Sequence, residues 1–141
     1  VKIFHPYGIC GPLPWQATLN TPYGGSDSSS ELLSLAGSIQ TFSEQVTDQS
    51  SLDALQSEIS SAHTLVFLGF GFHEMNMNLL TVPKSTVRRV FGTACGLSSY
   101  DVDVVRDRIR AALGNSPADI HLHANLKCAK IFDEYRFSLT S

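Results

Sequence analysis

The sequence predicts an α/β fold in which helices cover both faces of a mostly parallel β-sheet. Residues 64–70 are almost continuously apolar and lead into glycine, a pattern typical of a strand buried on both faces of a parallel sheet. Residues 99–113 place apolar side chains at helical spacing, and other candidate strands and helices alternate along the chain. This alternation favours parallel strands joined by right-handed helical crossovers.

Composition supports a single α/β domain over residues 1–141. Hydrophobic residues make up 43% of the chain and charged residues 16%, values typical of a packed globular protein rather than a disordered one. The chain starts without methionine and inside a predicted strand. We therefore expect it to be a fragment, or the C-terminal part, of a longer domain.

Charge and apolar patterning argue against two classes of partner. The formal net charge of −3 disfavours nucleic acid, which requires a concentrated basic surface. The longest apolar run, residues 65–72, is much shorter than the ~20 residues that cross a bilayer. Cys10, Cys95 and Cys128 contain no Cys-x-x-Cys pair, so we expect a reducing, cytoplasmic setting in which these thiols are small buried residues.

The first half of the chain is predicted to form a short strand at residues 1–4, a Pro/Gly-rich loop at residues 5–25 and two helices. The helices are indicated by apolar residues at helical spacing, first Leu32, Leu35, Ala36, Ile39, Phe42 and Val46, then Leu52, Leu55, Ile59 and Ala62.

The second half is predicted to supply the sheet. Residues 64–70 are expected to form its central strand, with further strands at residues 87–93 and 120–124. The helices between and after them are predicted at residues 75–80, 99–113 and 126–135, and the arginines of the middle one are expected to face water. The arrangement is Rossmann-like.

The loop after residues 64–70 is the leading candidate for a binding site. Ligands of open α/β sheets bind at the carboxyl ends of strands, where glycines permit close backbone approach. Glu74 disfavours a bare phosphate at the next helix, which favours contact with a ribose or base. The alternative is that Gly-x-Gly only lets the chain turn tightly. The predicted nucleotide-binding residues are Gly69, Phe70, Gly71, Phe72, His73 and Asn76.

The turn at residues 91–96 should lie at the same edge of the sheet if the strands are parallel. Its glycines could shape the floor of a pocket, or the turn could simply join a strand to a helix. Ser98 or Ser99 is expected to cap that helix, and Asp101 complements its dipole.

Three short motifs together resemble the distal half of sirtuin-like (silent-information-regulator-like) domains of microbial proteins: FHPYG at residues 4–8, VFLGFGF at 66–72 and FGTACG at 91–96. In that family a histidine lies near the nicotinamide ribose of NAD, and a glycine-containing turn at a later strand end contacts NAD. The resemblance implies that His5 is this histidine and that residues 69–72 form this turn. The family's opening glycine-rich loop would precede Val1.

The resemblance implies an NAD- or ADP-ribose-binding domain, with NAD as the cofactor or substrate, within an NAD-hydrolysing protein. A histidine on a strand-end loop can accept a proton from a ribose hydroxyl or from water that attacks the anomeric carbon. His5 is therefore the predicted catalytic residue of a glycohydrolase-type reaction. The alternative is a loop histidine hydrogen-bonded to backbone.

Two other functions remain open from the sequence. A noncatalytic interaction or sensor domain would use Trp15 and Tyr23 of the Pro/Gly-rich loop to contact a partner. A metal-dependent hydrolase would use His121 and His123, although the third ligand is missing and no metal is expected. A sheet without its first strands could complete itself by pairing two chains, so a homodimer is also expected.

Overall fold

The computed structural model describes residues 2–7, 28–39 and 49–139 of the chain. The chain forms two compact units, Val1–Asp53 and Ala54–Ser141. Trp15, Tyr23 and Cys10 lie outside the described residues, as do most of the predicted Pro/Gly-rich loop and the end of the first predicted helix stripe.

Among the described residues of the first unit, the strand predicted at residues 1–4 is not found. Residues 2–5 have no regular secondary structure, and Pro6 and Tyr7 lie in a turn. Ile3 is 69% exposed, so this short run buries too little apolar surface to be held in a sheet. The first predicted helix is present as α1 (Ser29–Ser38), and Leu32, expected on its inner side, is half exposed.

The second predicted helix is α2 (Gln49–Ser61). Ile59 is buried in the core of the second unit, and Leu55 packs against that core. The four-residue spacing of these two side chains places them on one side of the helix, as the sequence pattern predicts.

The described part of the second unit contains a three-stranded parallel sheet in the order β1 (Thr64–Phe67), β2 (Arg89–Thr93), β3 (Asp119–His123). Thr64 pairs with Arg89, which pairs with Asp119 on its other side, so the strands begin in step. Their carboxyl ends consequently lie at one edge of the sheet. The predicted α/β fold with a parallel sheet is confirmed.

The strand expected to be central, at residues 64–70, instead lies at an edge of the described sheet and ends at Phe67. The central strand is β2, in which Val90 and Phe91 are almost completely buried, whereas Val66 of β1 is 38% exposed. A continuous apolar run indicates burial, but it does not distinguish a central strand from its neighbour.

Helices follow each strand. α3 (Glu74–Leu79) lies between β1 and β2, and α4 (Ser99–Ala112) lies between β2 and β3. The closing helix is divided into α5 (Cys128–Glu134) and α6 (Arg136–Leu139). Within the described ranges, no helix is long and apolar enough to cross a membrane.

The sheet separates two apolar clusters because successive side chains of a strand point to opposite faces. Val90 of β2 belongs to the larger cluster together with Ile109 of α4 and Ile59 of α2. Phe91, the next residue of β2, packs with Ile131 and Tyr135 at the closing helices. Helices therefore cover both faces of the sheet.

Candidate functional site

A cavity of about 530 Å³ lies at the carboxyl edge of the parallel sheet. Its wall combines residues that follow all three strands with one side of α4. The lining residues are Gly69, Phe70, Phe72, His73, Thr93, Ala94, Cys95, Leu97, Asp101, Val104, Val105, Arg108, Leu126, Lys127 and Cys128.

Gly69 holds the loop after β1 close to the end of β2. Its φ of +58° is in the left-handed region, where a residue with a Cβ is strained. Its backbone N–H donates to Thr93 Oγ1 at 3.0 Å. A Cβ at Gly69 would lie 3.5 Å from Cys128 Sγ, so this one turn touches groups that follow all three strands.

Two rings of an aromatic cluster, Phe70 and Phe72, form part of the apolar wall. The ring of Phe70 lies 5.2 Å from that of Phe67 and 5.3 Å from that of Phe72, between centroids, with tilted or edge-on geometry. Phe72 is buried, and its carbonyl oxygen accepts a hydrogen bond from Arg108 Nη1 at 3.0 Å. The loop is thus fixed on one side by β2 and on the other by α4.

Four of the six predicted binding residues line the cavity: Gly69, Phe70, Phe72 and His73. Gly71 and Asn76 are not part of its wall. Asn76 Nδ2, expected to bond a ligand hydroxyl, donates instead to the carbonyl oxygen of Gly71 at 2.8 Å. The structure therefore gives this amide a role in closing the loop.

His5, the predicted catalytic residue, is exposed in the first unit and lies in the described stretch of residues 2–7. The expectation that it converges with the Gly69 loop stays a prediction.

The first turn of α4 is capped by Ser98, as the sequence predicts. Ser98 Oγ accepts from the backbone N–H of Asp101 at 3.1 Å and donates to Asp101 Oδ2 at 2.7 Å. Asp101 also lines the cavity, so its negative charge lies at the N-terminus of α4. The helix dipole alone would attract a phosphate there, and the carboxylate opposes this attraction. The Asp101 carboxylate can instead accept a hydrogen bond from a ligand group such as a ribose hydroxyl.

Two cations contribute to the wall, and sequence reasoning missed both. Arg108 was assigned to a solvent-facing side of α4, but it follows the wall residues Val104 and Val105 by one helical turn, so it shares their side. Lys127 follows β3, just as the predicted binding loop follows β1. A search after every strand end would have found Lys127.

No protein-family model, curated protein or solved structure matches this chain. The resemblance to sirtuin-like domains therefore stays a prediction.

The thiols do not follow the sequence expectation. Cys95 and Cys128 were expected to be buried, but both are free, exposed and part of the cavity wall. Cys95 lies two residues after the end of β2, and Cys128 is the first residue of α5 after β3. The strand-end turn at residues 91–96 does help to form the pocket, but through Thr93, Ala94 and Cys95 rather than through its glycines.

His121 and His123 share one face of β3, as their spacing predicts. His121 Nε2 lies 2.9 Å from Asp119 Oδ2, and its ring stacks on Phe91 with a centroid distance of 5.3 Å. His123 meets the ring of Tyr135 edge-on at 5.6 Å. Both imidazoles thus pack against aromatic rings. Within the described residues, no group of three or more His, Cys, Asp or Glu side chains could hold a metal ion.

Proposed function

We propose that the chain is a nucleotide-binding domain that takes NAD or ADP-ribose in the strand-end cavity. The observation that carries the proposal is the position of this cavity: it lies at the carboxyl edge of a parallel sheet and is bordered by a glycine in the left-handed region. Open α/β sheets bind their ligands at this edge. The volume of about 530 Å³ is within the range of ~300–1,000 Å³ found for small-molecule sites.

The wall supplies a complementary group for each part of such a ligand. Phe70 and Phe72 offer an apolar surface to a base, and Asp101 offers carboxylate oxygens to ribose hydroxyls. Arg108 and Lys127 offer positive charge to a diphosphate. Asp101 disfavours phosphate at the start of α4, so the diphosphate is expected toward the two cations.

Binding is tested by calorimetric titration of the chain with NAD and ADP-ribose, repeated on a version extended upstream of Val1. Arg108→Gln is expected to weaken binding about 10-fold or more, because a charge-assisted hydrogen bond contributes ~1.5–3 kcal/mol. Arg110→Gln is the matched control: Arg110 lies on the same helix, bonds Asp107 at 2.9 Å and is outside the cavity wall.

A second pair of variants tests the part of the wall that follows β3. Lys127→Gln is expected to weaken ADP-ribose binding, whereas Lys130→Gln, which removes an exposed partner of Asp133, is expected to leave it unchanged. Thermal unfolding of each variant shows whether a loss of binding comes from a loss of folding. Equal affinities for all four variants would contradict the assignment of the cavity.

The proposed reaction is hydrolysis of NAD by a longer protein that contains this chain. Water attacks the anomeric carbon of the nicotinamide ribose, nicotinamide leaves with the bonding electrons, and His5 accepts the proton of the water. His5→Ala in the extended version is expected to abolish nicotinamide release while ADP-ribose still binds. If neither version binds either nucleotide, the noncatalytic interaction domain becomes the better proposal.

Pairing of two chains is part of the same proposal. Among the described residues, β1 pairs only with β2, which leaves its other edge available to a strand of a second chain.

A further inference from the structure

The cavity wall contains two exposed thiols that the proposed binding of a nucleotide does not use. Cys95 lies two residues after the end of β2, and Cys128 is the first residue of α5. Both are free. The thiolate of such a cysteine is a nucleophile, and the shape and charge of the cavity determine which electrophiles can reach it.

The surroundings of Cys128 hold its sulfur against the loop that carries the candidate site. Its Sγ lies 3.8 Å from Thr93 Oγ1 and 3.5 Å from the position that a Cβ at Gly69 would occupy. The oxygen of Thr93 already accepts the N–H of Gly69, so its single hydroxyl hydrogen can point at the sulfur. Within the described part of the chain, Cys95 has no comparable polar contact.

The charges of the wall indicate which thiol reagents fit. Lys127, the neighbour of Cys128 in the chain, and Arg108 both line the cavity, and they outnumber the single carboxylate of its wall, Asp101. These cations favour a reagent that carries carboxylates. The cavity, at about 530 Å³, has room for a group of tripeptide size.

We propose that Cys128 is a thiolation site for small anionic disulfides such as glutathione disulfide. The Cys128 thiolate attacks one sulfur of the reagent, and the reagent's S–S bond breaks as the new S–S bond forms. The other half of the reagent leaves as a thiolate and takes up a proton from water. Cys128 is oxidised to a mixed disulfide, and the departing half is reduced to a free thiol.

Thiolation at Cys128 closes the nucleotide site, and this consequence rests on the proposed function. The attached group starts beside Gly69 and extends into the space assigned to the nucleotide. The cell's ratio of disulfide to thiol would then set the fraction of chains able to bind NAD or ADP-ribose.

The test is incubation of the chain with glutathione disulfide, followed by intact mass measurement and peptide mapping. We expect a mixed disulfide at Cys128 that is lost in Cys128→Ser and kept in Cys95→Ser. An adduct only at Cys10 or Cys95, no adduct, or a Cys95–Cys128 disulfide in its place would overturn the proposal.

A second measurement tests the charge argument. Lys127→Gln is expected to slow the reaction with glutathione disulfide severalfold and to leave the reaction with neutral hydroxyethyl disulfide unchanged, whereas Lys130→Gln changes neither. A Lys127→Gln variant that reacts with glutathione disulfide as fast as the unaltered chain would show that the cavity does not select anionic reagents.

The link to the nucleotide is tested separately, so that its failure is distinct from the failure of the proposed function. Calorimetry on the unmodified chain decides whether ADP-ribose binds at all, and the mapping of Cys128 does not depend on that result. If ADP-ribose binds, we expect it to slow thiolation and to be excluded by it. Equal ADP-ribose affinity before and after complete thiolation would refute closure of the site.

Discussion

In the second unit, one face of the sheet is covered by a much larger apolar cluster than the other. On one face, α2, α3 and α4 contribute to a cluster of fifteen buried hydrophobic residues. On the other face, the described residues form a cluster of three, Phe91, Ile131 and Tyr135, bordered by two histidine rings. Among the described residues, apolar packing is therefore concentrated on one face, while the other combines a small core with polar groups.

Two isoleucines provide the most direct test of this difference, because both side chains are 0% exposed and they lie on opposite faces. Ile109→Ala should lower the free energy of unfolding by about 4 kcal/mol and Ile131→Ala by about 2 kcal/mol, the upper and lower parts of the usual range. Ile109 already lines a pocket of about 140 Å³ beside the larger cluster, so truncation would add its lost volume to an existing space. The smaller cluster around Ile131 is expected to relax into the space that truncation leaves. Urea denaturation measures both losses, and equal losses would show that the two faces are packed equally well.

Gly92 tests how tightly the larger cluster is packed. A Cβ at this position would lie 2.7 Å from Cδ2 of Leu122, a member of the larger cluster, and 3.2 Å from Cβ of Phe67, which packs against that cluster. Gly92→Ala is therefore expected to cost about 1–3 kcal/mol through overpacking.

Gly71→Ala is the matched control for stability. The new Cβ would meet only His73 and Asn76 side-chain atoms, at 3.5 and 3.6 Å, which are ordinary contacts. We expect a change of no more than about 0.5 kcal/mol, as for most substitutions outside special positions. If Gly92→Ala were as mild as Gly71→Ala in thermal unfolding, the side chains of Leu122 and Phe67 would be free to move away from the new methyl group.

The features predicted correctly are those that depend on local periodicity. The inner side of α4 and the three strands of the sheet follow from the spacing of apolar residues, and the cap at Ser98 follows from its position three residues before Asp101. The prediction of a strand at residues 1–4 was wrong because a short apolar run forms a strand only where a neighbouring strand pairs with it. The apolar pattern does not identify that neighbour. In the described sheet the central strand is β2 rather than the predicted one, again because an apolar pattern does not identify which strands are neighbours.

The candidate site was predicted in part. The loop from Gly69 to His73 could be found because glycines after a buried strand are a local signal. Arg108 and Cys128 join it only through tertiary packing: one is on α4 and bonds Phe72, and the other lies beyond β3 and touches Thr93. Parallel pairing brings these segments together, but the sequence does not state the strand order that decides which ends are neighbours.

Tyr135 provides the sharpest test of the smaller cluster, with an expected effect below those at Ile131 and Gly92. Its hydroxyl is buried and has no hydrogen-bond partner among the described residues. Burial, and then the nearby charge of Glu134, raise the pKa of Tyr135 above its ordinary value, while Arg106 lowers it in part. Because an unpaired buried hydroxyl stabilises nothing, Tyr135→Phe should change the free energy of unfolding at neutral pH by less than about 1 kcal/mol, and in the favourable direction.

The pH dependence follows from the same raised pKa. The folded state holds the tyrosine proton more tightly than the unfolded state, so the unaltered chain keeps its full stability below the ordinary tyrosine pKa of 10.0 and loses part of it as pH rises through the folded-state pKa. Tyr135→Phe should lack this loss, whereas Tyr100→Phe, at a side chain that is 76% exposed, should retain it. Urea midpoints at neutral and alkaline pH measure the difference. If Tyr135→Phe were less stable than the unaltered chain at neutral pH, the hydroxyl would have a hydrogen-bond partner in the folded state. The polar groups beside the smaller cluster would then contribute to stability.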